Sequence, residues 1–157
     1  GPLANPASVK RQLIGIARPA YVPIYAQALG TLGIERAMIV SGDEGLDELS
    51  LMGGNDIAEV NAEGIVAMRR VSAVDVGLRS APIEAIRGGD AVHNAAALRR
   101  LLQGEEGAYR DAVLLNAAAA LMVAEEVSSL GEGVEEAAEA IDKGLAKTLL
   151  DCWIAFT

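Results

Sequence analysis

One stretch decides the fold: AMIVSGDEGLDELSLM at residues 37–52. Residues 37–40 form a short β-branched and apolar run that is broken by Ser-Gly, which is typical of a buried strand. In open α/β sheets, ligands bind just beyond the carboxyl ends of such strands. The loop at residues 41–52 is therefore the first candidate for a functional site.

Four acidic residues lie in this loop, in two pairs. Asp43 and Glu44 precede Gly45, whereas Asp47 and Glu48 lead into an apolar patch. Adjacent carboxylates on irregular backbone can turn toward one point, and their hard oxygens suit Mg²⁺, which keeps several waters and shares its shell with substrate phosphates. Acidic residues also gather at helix N-termini and in solvated loops. The spacing alone leaves both interpretations open.

Length and composition predict one domain with a helix-rich core. The 157 residues are near the usual size of a domain. Hydrophobic residues make up 52% of the chain and aromatic residues only 3%, so Ala, Leu, Ile and Val must fill the core. The net charge of -9 argues against a nucleic-acid partner and against an anionic membrane surface, since both require basic patches.

Cys152 is the only cysteine, which excludes an internal disulfide and fits a reducing compartment, so we expect a cytoplasmic protein. Because it lies beside Trp153 and Ile154, we expect it to be a small buried hydrophobe. The longest apolar run, at residues 112–124, is shorter than the roughly 20 residues that span a bilayer. No secretory signal is visible at the start of the sequence.

The first 40 residues predict a βαβ unit. A strand is expected at residues 12–17, and Pro19 lies where the first turn of a helix would begin. One face of that helix carries apolar residues: Val22, Ala26, Leu29 and Leu32. The second strand, at residues 37–40, then delivers the acidic loop at its carboxyl end.

A hairpin and four helices are expected after the loop. The hairpin consists of residues 57–61 and 65–71, with Gly64 in the turn. Asp90 is favoured as the N-cap of a helix over residues 91–103, although the two glycines before it could also bind an anion through their amides. The other helices are expected within residues 107–130 and at residues 135–142 and 146–156.

Two polar residues on these helices need an explanation. Asn116 lies in the apolar centre of the helix within residues 107–130, which must be buried. We therefore expect its side chain to hydrogen-bond the backbone of a nearby loop. His93 is the only histidine, and without a cysteine or a second histidine to share a metal we expect it to be structural or to lie at the surface.

Five short motifs follow one another along the chain. They are GPLANPA at residues 1–7, QLIG at 12–15, GLDE at 45–48, GGD at 88–90 with NA at 94–95, and DAVLLNAAAAL at 111–121. Each motif alone is weak, but their order and spacing across the whole chain resemble the anthranilate phosphoribosyltransferase family.

That resemblance implies a fold and a reaction. The fold is an α/β domain with a mostly parallel sheet flanked by helices and one β-hairpin, of the nucleoside phosphorylase and phosphoribosyltransferase C-terminal type. The family joins anthranilate to the phosphoribosyl group of phosphoribosyl diphosphate, with loss of diphosphate, in tryptophan biosynthesis. Asp47 and Glu48 match the family's acidic pair, which binds the Mg²⁺ carried by the diphosphate. A dication there stabilises the negative charge that builds on the departing diphosphate.

The resemblance also implies that residues 1–157 form an incomplete C-terminal domain. The family's Gly-Thr-Gly-Gly-Asp loop, its Lys-His-Gly-Asn segment and its anthranilate-binding arginine all belong upstream of residue 1, and Ser41 stands where many members carry histidine. We therefore expect the chain alone to be inactive. An unpaired strand edge and exposed apolar surface predict self-association, and the intact enzyme is expected to be a homodimer that binds anthranilate and phosphoribosyl diphosphate.

Two other functions stay open at this point. A related pyrimidine nucleoside phosphorylase would have the same fold, although the Gly-Leu-Asp-Glu loop argues against it. A non-catalytic binding or assembly module of the same fold is the second alternative. Activity trials with anthranilate and with pyrimidine nucleosides distinguish an anthranilate phosphoribosyltransferase from a pyrimidine nucleoside phosphorylase.

Overall fold

The computed structural model of the chain describes residues 2–4, 6–64 and 66–156. Parts of the first motif, at positions 1 and 5, and the predicted start of the second hairpin strand, at position 65, lie outside these ranges. The described strands are β1 Arg11–Gly15, β2 Arg36–Gly42, β3 Gly54–Val60 and β4 Val66–Ser72. The described α-helices are α1 Val22–Thr31, α2 Ala91–Leu101, α3 Ala108–Ala124, α4 Leu130–Asp142 and α5 Leu145–Phe156.

The strands form one sheet in the order β1-β2-β3-β4. β1 and β2 are parallel and α1 connects them, which confirms the predicted βαβ unit. β3 pairs antiparallel with both β2 and β4. The α/β class is confirmed, but the described sheet is mixed, whereas a mostly parallel sheet is expected. The sheet is mixed because β2 is connected to β3 by a loop and not by a helical crossover, so that the two strands run antiparallel. Gly64 lies in the β3–β4 connection with a φ of 74°, as the predicted hairpin requires.

Both faces of the sheet are covered, which explains the uninterrupted apolar run in β2. Ala37 and Ile39 pack in a cluster with α1, whereas Met38 and Val40 pack in a second cluster with α3 and α4. A strand that is buried on both faces has no polar alternation. Leu32 was expected on the buried face of α1, but it is 61% exposed because the helix ends at Thr31.

Helices α3 and α4 approach each other closely. A Cβ atom on Gly133 would lie 2.7 Å from the Cα of Ala118, so small residues set this helix spacing. The predicted burial of α3 holds for most of its centre, although Ala120 is exposed. The helix ends at Ala124, where Glu125 adopts a left-handed conformation. Helix α4 begins earlier than predicted, because Ser129 caps it by accepting a hydrogen bond from the amide of Glu132.

Helix α5 is confirmed, but its residues are not buried. Ala146 and Leu150 contact the core, whereas Trp153 is 67% exposed and Phe156 is 90% exposed. Cys152 is exposed as well, so the expectation that it is a buried hydrophobe is wrong. Only one edge of the apolar helix face reaches the rest of the described chain. Within the part of the chain described here, no helix is both long and apolar enough to cross a membrane.

Candidate functional site

The acidic loop begins where β2 ends, beside the end of the parallel strand β1. The amide of Gly42 donates to the carbonyl of Leu46 at 2.9 Å, and the amide of Asp43 donates to the carbonyl of Gly54 at 3.1 Å. These bonds fold the loop back over the carboxyl ends of the two parallel strands. This is the position in which open α/β sheets bind their ligands.

Gly15 allows the loop to lie directly against β1. A Cβ atom at this position would be 1.5 Å from the carbonyl oxygen of Asp47, so no other residue fits without displacing the backbone. The sequence reasoning assigned no role to Gly15. Its one signal was its place in the QLIG motif at residues 12–15.

The first acidic pair is bonded within the chain. Asp43 forms an ion pair with Arg70 on β4 and accepts a hydrogen bond from the amide of Gly54 at 3.0 Å. The hydrogen bond from the Arg70 guanidinium is the main reason that the pKa of Asp43 lies below its ordinary value. Glu44 accepts a hydrogen bond from the hydroxyl of Ser50. These two carboxylates hold the loop together.

The second acidic pair makes no such bonds. Asp47 and Glu48 are exposed, and neither carboxylate hydrogen-bonds or forms an ion pair with any residue that the structure describes. Both border a cleft of about 640 Å³. The ends of β1 and β2 form one wall of this cleft and α3 forms another.

The donor set of this cleft fits a cation that arrives with its substrate. In the described residues, no group of three or more His, Cys, Asp or Glu side chains could hold a metal ion by itself. Mg²⁺ is commonly bound through one or two carboxylates together with waters and substrate phosphates, whereas structural zinc sites use four protein ligands. Asp47 and Glu48 are the residues that would hold Mg²⁺ here.

Two asparagines hold the backbone that follows the pair. The side chain of Asn116 accepts a hydrogen bond from the amide of Leu49 and donates one to its carbonyl, both at 2.9 Å. This confirms the predicted contact between Asn116 and a loop. Asn55 does the same for Ser50, at 2.6 Å and 3.0 Å. The sequence reasoning missed Asn55, for which the available signal was a polar residue that follows two glycines at the entry to a strand.

The segment around Asp90 behaves as a helix start. Asp90 accepts a hydrogen bond from the amide of His93 at 2.8 Å, which confirms the N-cap. The side chain of Asn94 already bonds the amide of Gly89 at 2.8 Å, so that this amide is not available to an anion. His93 is exposed, as expected.

Residues 1–147 match the model of the family described as "Glycosyl transferase family, a/b domain". The chain belongs to this family. The anthranilate phosphoribosyltransferases of Novosphingobium aromaticivorans and Sphingopyxis alaskensis are 66% and 68% identical to it over 155 and 156 residues. Each alignment covers 99% of this chain and 47% of the relative, so the chain spans about half the length of these relatives.

Solved structures agree with this assignment to the glycosyl transferase family. The anthranilate phosphoribosyltransferase of Thermus thermophilus superimposes with a TM-score of 0.89 at 40% identity, covering 99% of this chain and 46% of that one. The enzyme of Saccharomyces cerevisiae in complex with PRPP and Mg superimposes with a TM-score of 0.86 at 25% identity, covering 96% and 44%. The resemblance inferred from the five motifs is thereby confirmed.

Proposed function

We propose that this chain, residues 1–157, is the C-terminal α/β domain of an anthranilate phosphoribosyltransferase. The intact enzyme transfers the phosphoribosyl group from phosphoribosyl diphosphate to anthranilate and releases diphosphate, a step of tryptophan biosynthesis. The observation that carries this proposal is the unbonded pair Asp47 and Glu48 beside a cleft at the ends of β1 and β2. The 66% identity to an enzyme of that name supports it.

In this proposal the acidic pair holds the Mg²⁺ that the diphosphate carries. The bound metal offsets the negative charge that develops as diphosphate departs. Asp47 and Glu48 can attract the cation because neither carboxylate forms an ion pair with a described residue. The cleft walls contribute apolar side chains such as Leu13, Val40 and Val113.

We further propose that β1 pairs with another strand in the intact enzyme. β1 is an edge strand of the described sheet, and β2 is its only partner there. Apolar side chains are exposed nearby on α1 and at the other end of the chain on α5. Open edges and apolar surface promote association. We therefore predict that the chain alone self-associates and that the intact enzyme is a homodimer. A cytoplasmic location also stays a prediction.

The test is a chimeric enzyme in which this chain replaces the matching segment of the Novosphingobium aromaticivorans transferase. We expect the fluorescence of anthranilate to fall with time when phosphoribosyl diphosphate and Mg²⁺ are present, and a chelator to stop the reaction. The chain without the upstream half should give no signal. Thymidine or uridine with phosphate should release no base.

Two results would contradict the proposal. A folded chimera that cleaves pyrimidine nucleosides but does not consume anthranilate would indicate a nucleoside phosphorylase. A folded chimera that consumes neither substrate would favour a binding or assembly module of the same fold.

A further inference from the structure

We propose that Asn116 is a positioning residue for the acidic pair. Its side-chain amide fixes the backbone of Leu49, so that Asp47 and Glu48, the two preceding acidic residues, keep a constant position at the cleft for a divalent cation. The inference rests on the metal-binding function proposed above. It adds a residue of α3 that does not itself ligate the metal.

The contact between Asn116 and Leu49 has the form of a strand pairing. One amide group satisfies both the N–H and the C=O of Leu49, and the same Nδ2 also donates to the carbonyl of Ala112 at 3.0 Å. The side chain cannot rotate without breaking three bonds. Helix α3 is 17 residues long and packs in the core, so it offers a rigid support.

Asn55, on β3, provides a second support for the loop. It bonds both backbone groups of Ser50 and also donates to the carbonyl of Val71 at 3.1 Å. Two successive residues of the loop are therefore fixed by amides from β3 and from α3. The acidic pair comes immediately before this fixed segment, whereas its own carboxylates make no bonds to described residues.

The chemistry of the position favours a positioning role over simple packing. An apolar side chain would suit the apolar centre of α3, because burying an amide costs free energy unless its hydrogen bonds are made. Two of the three hydrogen bonds of Asn116 are made to the loop, and its side chain lines the same cleft as Asp47 and Glu48. Groups that orient metal ligands from outside the coordination shell typically contribute 10-fold to 100-fold to metal affinity.

The first test measures metal affinity directly in the chimeric transferase, which contains the full chain. Mn²⁺ is titrated in the presence of phosphoribosyl diphosphate, and free Mn²⁺ is followed by electron paramagnetic resonance. A titration without enzyme corrects for the Mn²⁺ that phosphoribosyl diphosphate binds by itself. We expect Asn116→Ser to raise the Mn²⁺ dissociation constant by about 10-fold. In Asn116→Thr the hydroxyl can still bond the carbonyl of Ala112 in the helix, and we expect a similar rise in the Mn²⁺ dissociation constant. This variant replaces the serine variant if the latter does not fold.

The second test separates positioning from loss of folded protein. For Asn116→Ser we expect the Mg²⁺ concentration at half-maximal rate to rise by the same factor, and kcat to recover at saturating Mg²⁺. A purely structural role would lower kcat at every Mg²⁺ concentration and leave that midpoint in place. Hydrogen–deuterium exchange without metal should also accelerate in peptides that contain Leu49.

Asn94 provides a matched control. From the first turns of α2, it bonds the amide and the carbonyl of Gly89 at 2.8 Å and 3.1 Å, which is the same arrangement at an exposed helix start. Asn94→Ser should leave the Mn²⁺ dissociation constant within twofold of the parent value.

The outcomes distinguish the inference from the function on which it rests. If the double variant Asp47→Ala and Glu48→Ala abolishes Mn²⁺ binding but both Asn116 variants bind like the parent, the positioning role is wrong and the metal site stands. If the double variant binds Mn²⁺ like the parent, the metal site itself is wrong. An equal loss of affinity in the Asn94 and Asn116 variants also overturns the positioning role.

Discussion

The two acidic pairs of one loop have opposite environments. Asp43 and Glu44 are bonded to Arg70 and Ser50, whereas the carboxylates of Asp47 and Glu48 have no bonding partner among the described residues. Both pairs have the same charge and lie within six consecutive positions. The difference comes from tertiary structure, because the β3–β4 hairpin brings Arg70 to the first pair only. A carboxylate without an internal cation remains available to a cation from solution.

The sharpest way to test this comparison is to remove the second pair from the chimeric transferase. We expect the double variant Asp47→Ala and Glu48→Ala to lose on the order of 10²-fold to 10³-fold in turnover, as when a key electrostatic contact to the transition state is removed. Its free energy of unfolding should change by less than about 0.5 kcal/mol, since exposed and unbonded side chains contribute little to stability. Steady-state kinetics and urea unfolding provide the two measurements.

The matched control for this variant is the isosteric pair Asp47→Asn and Glu48→Gln. It keeps the shape of the loop and removes the charge, so it should lose nearly as much turnover. Unchanged turnover of the alanine variant at limiting Mg²⁺ would exclude the metal assignment.

A second way to test the comparison moves the pair without changing it. In Gly15→Ala the added Cβ atom would overlap the carbonyl oxygen of Asp47, so the loop must shift away from β1. We expect a loss of turnover on the order of 10²-fold, which is typical of a displacement of about 1 Å at a reacting site. The overlap should also lower the free energy of unfolding by about 1–3 kcal/mol. Kinetics and urea unfolding again measure both effects.

Gly131→Ala is the control for Gly15→Ala. A Cβ atom at Gly131 would meet nothing nearer than the hydroxyl oxygen of Ser129 at 3.9 Å, and alanine favours the helical backbone of α4. This variant should be fully active and slightly more stable. Full activity in Gly15→Ala would show that the close approach of the loop to β1 does not position the pair.

Local sequence patterns were sufficient to predict some features of the fold and the site. The pattern of a few neighbouring residues predicts the βαβ unit and the Asp90 cap. A single polar residue in an apolar helix predicts the loop contact of Asn116. The environments of Gly15, Asn55 and Asp43 depend on how distant strands meet. Cys152 was misassigned because the amphipathic pattern of α5 indicates an apolar face but not what covers that face.

The smallest expected effect concerns the first acidic pair and the pH dependence of stability. The pKa of Asp43 is lowered in the folded protein, so its charged form is favoured by folding. Such a group stabilises the protein above the pKa of the unfolded chain, and this contribution is lost as the pH falls through the lower folded value. We expect the urea concentration at the unfolding midpoint of the chimera to decrease as the pH drops below about 4. The substitution Asp43→Asn should make this decrease smaller.

The comparison of the parent with Asp43→Asn isolates the contribution of Asp43. The pKa of Asp75 is lowered too, by its hydrogen bonds with Ser72, but this carboxylate is present in parent and variant alike, so its effect cancels in their difference. The difference between the two urea midpoints should therefore shrink as the pH falls through the lowered pKa of Asp43, because the carboxylate of the parent loses its charge there. If Asp43→Asn kept the full acid sensitivity of the parent, the ion pair of Asp43 with Arg70 would not be what holds the first acidic pair in the folded loop.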